Sequence, residues 1–257
     1  MIVAAAQMVA GTDIGSALGR AETIICQAAG DGARLVALPE YFAWYGPEDR
    51  MAAAANRGAD ILAAMGKAAT RCGVYVLAGS VLMPGSEGKV RNVSTLFAPD
   101  GSMVSEYQKM KMFDAQTAVR AYHESDFLEP GQNAVTTQLD EWTLGLAICF
   151  ELRFPALFLK LREMGANLIA VPSAFTHETG KDHWSTLVKC RAMDTQSYMI
   201  APALTGESSG GKKCFGHTMI VGPWGEVMAS RDEGEGYVVA DISLERVEEV
   251  RDRMKLG

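Results

Sequence analysis

With 257 residues, 48% of them hydrophobic and 21% charged, the chain carries enough apolar material for a sizeable core. A net charge of −7 argues against a nucleic-acid or anionic-membrane partner. The longest apolar runs are strand-sized, far short of the ~20 residues of a membrane span. Residues 1–8 are apolar but lack the basic start and long apolar stretch of a signal peptide. The five cysteines, at positions 26, 72, 149, 190 and 214, form no closely spaced pairs. An odd count without an export signal predicts reduced thiols and a cytoplasmic location.

Helical spacing predicts a helix over residues 13–29. An apolar strand, Arg34-Leu35-Val36-Ala37-Leu38, then runs through Pro39 and ends at the carboxylate of Glu40. A helix over 47–72 follows, with Pro47 suited to its first turn. Tyr75-Val76-Leu77-Ala78 is a strand. Leu96-Phe97-Ala98-Pro99-Asp100-Gly101 enters a hairpin turn, where Pro presets φ and Gly tolerates positive φ. Lys109 comes just after the returning strand. Leu144-Gly145-Leu146-Ala147-Ile148 is an apolar strand that stops at Cys149. Further helices are predicted over 155–165 and 182–196.

The chain repeats itself. Gly32-Ala33-Arg34-Leu35-Val36-Ala37-Leu38-Pro39 matches Gly165-Ala166-Asn167-Leu168-Ile169-Ala170-Val171-Pro172. Tyr75-Val76-Leu77-Ala78 matches Tyr198-Met199-Ile200-Ala201, and the Pro99 turn matches Pro223-Trp224-Gly225. Three matches in one order predict two similar halves, each a strand–helix–strand unit closed by a hairpin. Two such halves place two sheets face to face with helices outside. The fold class is α/β, a four-layer αββα sandwich, and no Pro/Ser-rich linker divides the single domain, 1–257. Ser173 falls where Glu40 stands in the first half, so any site there is asymmetric.

Ligands meet open α/β folds at the carboxyl ends of strands. A thiol, a carboxylate and an ammonium all fall at such ends. Free cysteine is commonly a small buried hydrophobe, and Glu and Lys are commonly solvated. Together, however, Cys149, Glu40 and Lys109 form a set for acyl transfer. The thiolate attacks an amide carbonyl, the carboxylate moves the proton, and the ammonium with a backbone N–H holds the oxyanion. His177, His183, His217, Cys190 and Cys214 show neither Cys-X-X-Cys nor His-Glu-X-X-His spacing, so no metal is expected. Gly206-Glu207-Ser208-Ser209-Gly210-Gly211-Lys212-Lys213 has glycines and lysines but not the spacing of a phosphate loop, and reads as a flexible loop before a hairpin strand.

Leu38-Pro39-Glu40-Tyr41-Phe42, Tyr107-Gln108-Lys109 with Phe113-Asp114, and Cys149-Phe150-Glu151-Leu152-Arg153-Phe154-Pro155 resemble the three signatures of the nitrilase, or carbon–nitrogen hydrolase, superfamily. Pro172-Ser173-Ala174-Phe175, His183-Trp184, Arg191-Ala192-Met193-Asp194-Thr195-Gln196 and Gly216-His217-Thr218 extend the likeness along nearly the whole chain. The resemblance implies the αββα fold and a triad of Glu40 as base, Lys109 as the lysine and Cys149 as nucleophile. It implies Glu124 as a second glutamate that orients Lys109 or assists the proton transfers, and the Phe150 N–H as second oxyanion donor. Glu129 has no such counterpart and reads as surface.

Phe150 stands where nitrilases proper carry Trp, so the likeness is to the amidase branch with ω-amidases and deaminated glutathione amidases. Lys111 and Ala156 depart from that branch, which often has His and Glu at these positions. The resemblance further implies a small amide bearing a free carboxylate, no cofactor, and a homodimer. Tyr41, Phe175, Arg153 and Lys181 are expected around the substrate, with loops 41–46 and 176–181 shaping the pocket. Acyl transfer from the same thioester to an amine, and a binding protein that kept the fold without turnover, are the alternatives.

Overall fold

The computed structural model describes residues 1–118, 120–208 and 211–256. The chain opens with β1 (Ile2–Val9), α1 (Ile14–Gly30) and β2 (Leu35–Ala37). Two helices follow, α2 (Met51–Ala55) and α3 (Gly58–Cys72), before β3 (Tyr75–Pro84), β4 (Val90–Phe97) and β5 (Met103–Gln108). A short ribbon, β6 (Asp114–Gln116) and β7 (Ala121–His123), leads to β8 (Val135–Leu139) and β9 (Trp142–Leu146). Next come α4 (Pro155–Glu163), β10 (Leu168–Ala170), α5 (His177–Thr195), β11 (Tyr198–Ala201) and β12 (Ala203–Glu207). The order ends with β13 (Lys213–Phe215), β14 (Thr218–Val221), β15 (Val227–Arg231), β16 (Gly236–Asp241) and α6 (Leu244–Arg253).

The first sheet runs β13-β12-β1-β2-β3-β4-β5, with β16 also beside β1; the second runs β15-β14-β11-β10-β9-β8. Successive strand residues point to opposite faces. Val3, Ala5, Leu35, Ala37 and Leu77 therefore turn toward the second sheet, while Ala4, Ala6, Val36, Val76 and Ala78 turn toward α1 and α3. On the far side of the second sheet, Phe158 and Leu161 of α4 and Trp184 and Val188 of α5 close the same core. This is the αββα sandwich read from the sequence. The repeat is equally visible. β2 and β3 pair in parallel and β4 and β5 follow antiparallel; β10, β11, β14 and β15 do the same. Both hairpin turns place their glycine in the left-handed region, Gly101 at φ 83° and Gly225 at φ 88°.

Three expectations need correction. The helix over 47–72 is interrupted before Gly58, which brings α3 against the backbone of β3; a Cβ at Gly58 would collide with the Leu82 carbonyl oxygen. The helix expected from residue 182 begins at His177, because the Thr176 side chain caps it by accepting from Thr179 N. Residues 176–181 are thus a capped helix start rather than a loop. Finally, Cys26 and Cys72 are joined in a disulfide between α1 and α3, leaving Cys149, Cys190 and Cys214 free. The two partners lie 46 residues apart in sequence, so spacing gave no sign that the helices run side by side. The argument for a reducing compartment from five free thiols goes with it. Among the described residues no helix is long and apolar enough to cross a membrane.

The strand ends carry the site, and one glycine sets their spacing. Gly79 of β3 lies so close to the turn after β2 that a Cβ would collide with the Leu38 and Pro39 carbonyl oxygens. Ser80 N also donates to Pro39 O at 3.3 Å. Gly79→Ala is expected to cost about 1–3 kcal/mol through forced displacement of packed backbone. Thermal unfolding should show a Tm lower by several degrees; an unchanged Tm would mean that β2 and β3 part freely.

Candidate active site

After β9 the chain is still tied to its neighbour. Ala147 N donates to Ala170 O at 3.1 Å and Cys149 N to Pro172 O at 3.0 Å. Cys149 then takes φ 51°, a left-handed conformation that non-glycine residues seldom adopt. A single 3₁₀ turn, Cys149–Arg153, follows. The Cys149 amide is spent on Pro172 O, whereas among the described residues no acceptor takes the Phe150 N–H.

Glu151 holds this turn. Its carboxylate is fully buried and accepts from Ile148 N at 2.6 Å, Met110 N at 2.7 Å and Lys111 N at 3.2 Å. The Tyr107 hydroxyl donates to it at 2.7 Å. Burial pushes the Glu151 carboxyl up, and the hydrogen bonds from Tyr107, Met110 and Ile148 work against that shift. One side chain thereby fastens the turn after β9, in the second sheet, to the turn after β5, in the first.

The turn after β5 presents Lys109. Its ammonium donates to Glu40 Oε1 at 3.0 Å and to Glu124 Oε1 and Oε2 at 3.0 and 2.8 Å. Glu40 comes from the turn after β2; its Oε1 also accepts from Asn92 Nδ2 at 3.0 Å, and its Oε2 from Ala174 N at 2.9 Å. Glu124 starts a 3₁₀ turn after β7 and accepts from Phe113 N at 2.7 Å and Tyr41 Oη at 2.9 Å. Burial opposes the Lys109 charge, but Glu124 and Glu40 outweigh it and hold the ammonium protonated well above the ordinary lysine range. The Cys149 thiol is pushed up by burial and by the nearby Glu40 carboxylate; Lys109 offsets only part of this. The resting sulfur is therefore a neutral thiol beside a carboxylate.

Cys149 lines two adjoining hollows. The larger, about 60 Å³, contains Glu40, Lys109, Glu124 and Tyr41, and reaches out to Tyr45, Glu48 and Lys212. The smaller, about 20 Å³, is bounded by Phe150, Phe175 and Arg153. Among the described residues no group of three His, Cys, Asp or Glu side chains is arranged to hold a metal ion. His217 stacks on Phe215, with ring centroids 3.8 Å apart, and His183 Nδ1 lies 3.2 Å from Arg153 Nη2.

A family model described as carbon-nitrogen hydrolase matches residues 2–252. The chain belongs to this family. It is 37% identical to a deaminated glutathione amidase of Synechocystis, over 98% of this chain and 95% of that one. It is 31% identical to omega-amidase NIT2 of Danio rerio, over 93% and 87% of the two chains. The NitFhit protein of C. elegans superposes with a TM-score of 0.93 at 29% identity; the match covers 98% of this chain and 63% of that protein. The sandwich is thus the nitrilase-superfamily fold.

The structure brings together Glu40, Lys109, Cys149, Glu124 and Tyr41, and sets Phe150, Phe175 and Arg153 around the second hollow. Lys181 lies elsewhere: it is exposed on the first turns of α5 and lines neither hollow. Glu129 caps the Ser86 loop at the surface, as expected. Lys111 is exposed, its ammonium 5.4 Å from the Phe154 ring centroid, and Ala156 is exposed on α4. The sequence reading missed Lys212, which is buried rather than solvated in a flexible loop; Ser209 and Gly210 of that segment lie outside the described residues. It also missed Asn92 and Glu151. Glu151 sits two residues after the cysteine, inside an apolar motif, and a charge so placed was the available signal. Glu151→Gln puts an amide N–H₂ among N–H donors, and should cost about 1–3 kcal/mol. Denaturant unfolding measures this, and alkylation of Cys149 should slow in parallel as its turn loosens. Unchanged stability and reactivity would remove Glu151 from the scaffold of the site.

Proposed function

We propose that this carbon–nitrogen hydrolase cleaves a small amide bearing a free carboxylate, through a thioester on Cys149. The observation that carries the reading is the closed set of thiol, carboxylate and ammonium in one small cavity. The relatives' names support an amide as substrate, since both are called amidases.

The substrate carbonyl lies against Cys149 Sγ. Glu40 accepts the thiol proton as sulfur attacks, so the thiolate forms only when it is used. The oxyanion is held by the Lys109 ammonium and the open Phe150 N–H. Glu40 returns the proton to the departing nitrogen, the C–N bond breaks, and ammonia leaves a thioester. Glu40 then takes a proton from water, whose oxygen attacks the thioester; the acid departs and the thiol is restored. Glu40 is the base rather than Glu124, because Glu40 faces the thiol while Glu124 is occupied by Lys109, Tyr41 and Phe113 N. Glu124 fixes the Lys109 ammonium and maintains its charge.

Cys149→Ala is expected to abolish ammonia release without unfolding the protein. Lys109→Ala should lower kcat/KM on the order of 100-fold or more, the usual loss on removing an oxyanion donor. Lys111→Ala should stay within about threefold, since solvated surface charges rarely matter more. Turnover by the alanine variant, or the reverse order of the two lysines, would overturn the assignment.

The carbon–nitrogen hydrolase is also read as a homodimer. Met193, Trp224, Met254 and Leu256 are exposed apolar side chains, and Met193, Trp224 and Met254 line one shallow depression between α5 and α6. Such patches are rare on monomers, and a second copy would cover this one. Light scattering should give twice the chain mass, and Trp224→Glu should shift it toward the monomer; a monomeric wild type would end this reading.

A further inference from the structure

Two cations face the hollows beside Cys149, and their surroundings differ. The Arg153 guanidinium lines the smaller hollow, contacts His183 Nδ1 at 3.2 Å, and lies over the rings of Phe150 and Phe175 at 5.8 and 5.6 Å. Lys212 lines the larger hollow, the one that holds Glu40, Lys109 and Glu124 together with the thiol. Its side chain is 7% exposed. Its ammonium pairs with Glu48 Oε1 at 2.5 Å and lies 5.4 Å from the Tyr45 ring centroid. An ammonium has three N–H donors, and among the described residues Glu48 is the one carboxylate paired with it. A buried cation that pairs with a single carboxylate among the described residues gains from a further anionic acceptor.

The charges also alternate along the hollow. At its floor, two carboxylates and one ammonium leave a net negative charge beside the neutral thiol. Farther along the same lining, Lys212 pairs with Glu48, whose carboxylate also lies 3.9 Å from Arg120, while the Glu178 carboxylate acts on nearby Tyr122. Burial pushes the Glu48 carboxyl up, but Lys212 and Arg120 outweigh it and hold it below the usual carboxylate range. An anion is repelled by the two carboxylates around Lys109 and finds Lys212 as the lining lysine that those carboxylates do not hold. A neutral amide joined to a carboxylate then has one favourable direction of entry.

We infer that Lys212 is the specificity-determining residue that holds the substrate's carboxylate at the mouth of the catalytic hollow, so directing the amide toward Cys149. This rests on the carboxylate-bearing amide proposed above. Binding energy gained at Lys212, away from the reacting bond, is spent on orienting the carbonyl. The carboxylate lies beside Lys212 and accepts from its ammonium; Arg120 offsets part of the repulsion from Glu48. Arg153 has the smaller hollow, where it braces Phe150 and Phe175.

The test compares the monoamide of a four-carbon dicarboxylic acid with butanamide, its uncharged analogue, by ammonia release. Wild type should prefer the acid by at least ~10-fold in kcat/KM, about the worth of one charge-assisted contact. Lys212→Met should lower kcat/KM for the acid about 10-fold and change butanamide by less than about twofold, and Lys212→Arg should recover most of the preference. Arg153→Met should affect both amides alike. Thermal unfolding and the Cys149 alkylation rate of each variant report whether the site is still formed. A preference retained in Lys212→Met, or lost instead in Arg153→Met, overturns the assignment to Lys212 while the substrate class stands. A wild type that hydrolyses butanamide as well as the acid overturns the substrate class itself.

Discussion

The site depends on one buried ammonium held between two carboxylates. Burying an ion costs several kcal/mol unless partners are close and the remaining lone pairs are filled. Lys109 meets that demand from both sides, and the two carboxylates also accept from Asn92, Ala174 N, Phe113 N and Tyr41. The cluster still carries one more negative than positive charge, and this surplus sits against the sulfur. That is why Cys149 rests as a thiol despite a lysine nearby: burial and Glu40 favour the neutral form more strongly than Lys109 favours the thiolate. In the proposed reaction the same surplus leaves a carboxylate ready for the thiol proton. It also requires a cation elsewhere in the hollow if an anionic substrate is to enter.

The two sheets contribute different parts. Glu40 and Lys109 follow strands of the first sheet; Cys149 and Ala174 follow strands of the second. Catalytic geometry is therefore set by how one sheet lies on the other, and core packing becomes site alignment. Glu151 is the direct fastening across that boundary, because its partners lie on both sides. Gly79 is the corresponding constraint within the first sheet, where absence of a side chain lets β3 approach the turn that carries Glu40.

Much of this was legible in the sequence because strands announce their ends. An apolar run that stops at a polar residue locates the strand terminus within a residue or two, and Glu40 and Cys149 were found in that way; Lys109 was read as the residue just after a hairpin strand. The Pro-X-Gly turns exposed the repeat for the same local reason. What escaped depends on distance. Cys26 and Cys72 meet because α1 and α3 pack together, which no spacing encodes. Lys181 sat in a segment read as a loop until Thr176 capped it into a helix, and its side chain then faces solvent. Lys212 was invisible because a lysine beside glycines reads as solvated; only the fold brings Glu48 and Tyr45 around it.

The asymmetry between the halves follows from the same electrostatics. Ser173 occupies the place that Glu40 occupies in the first half. Its hydroxyl is buried and bonds to Val171 O at 3.0 Å, while the next residue's N–H, from Ala174, supports Glu40 Oε2 at 2.9 Å. The second half thus supplies a backbone donor where the first supplies a carboxylate. A carboxylate at position 173 would bring a third negative charge toward a cluster with a single ammonium, and like charges at such range drive one another to take up protons. The duplicated scaffold thus brings two strand ends to a single thiol, one offering a carboxylate and the other a backbone donor.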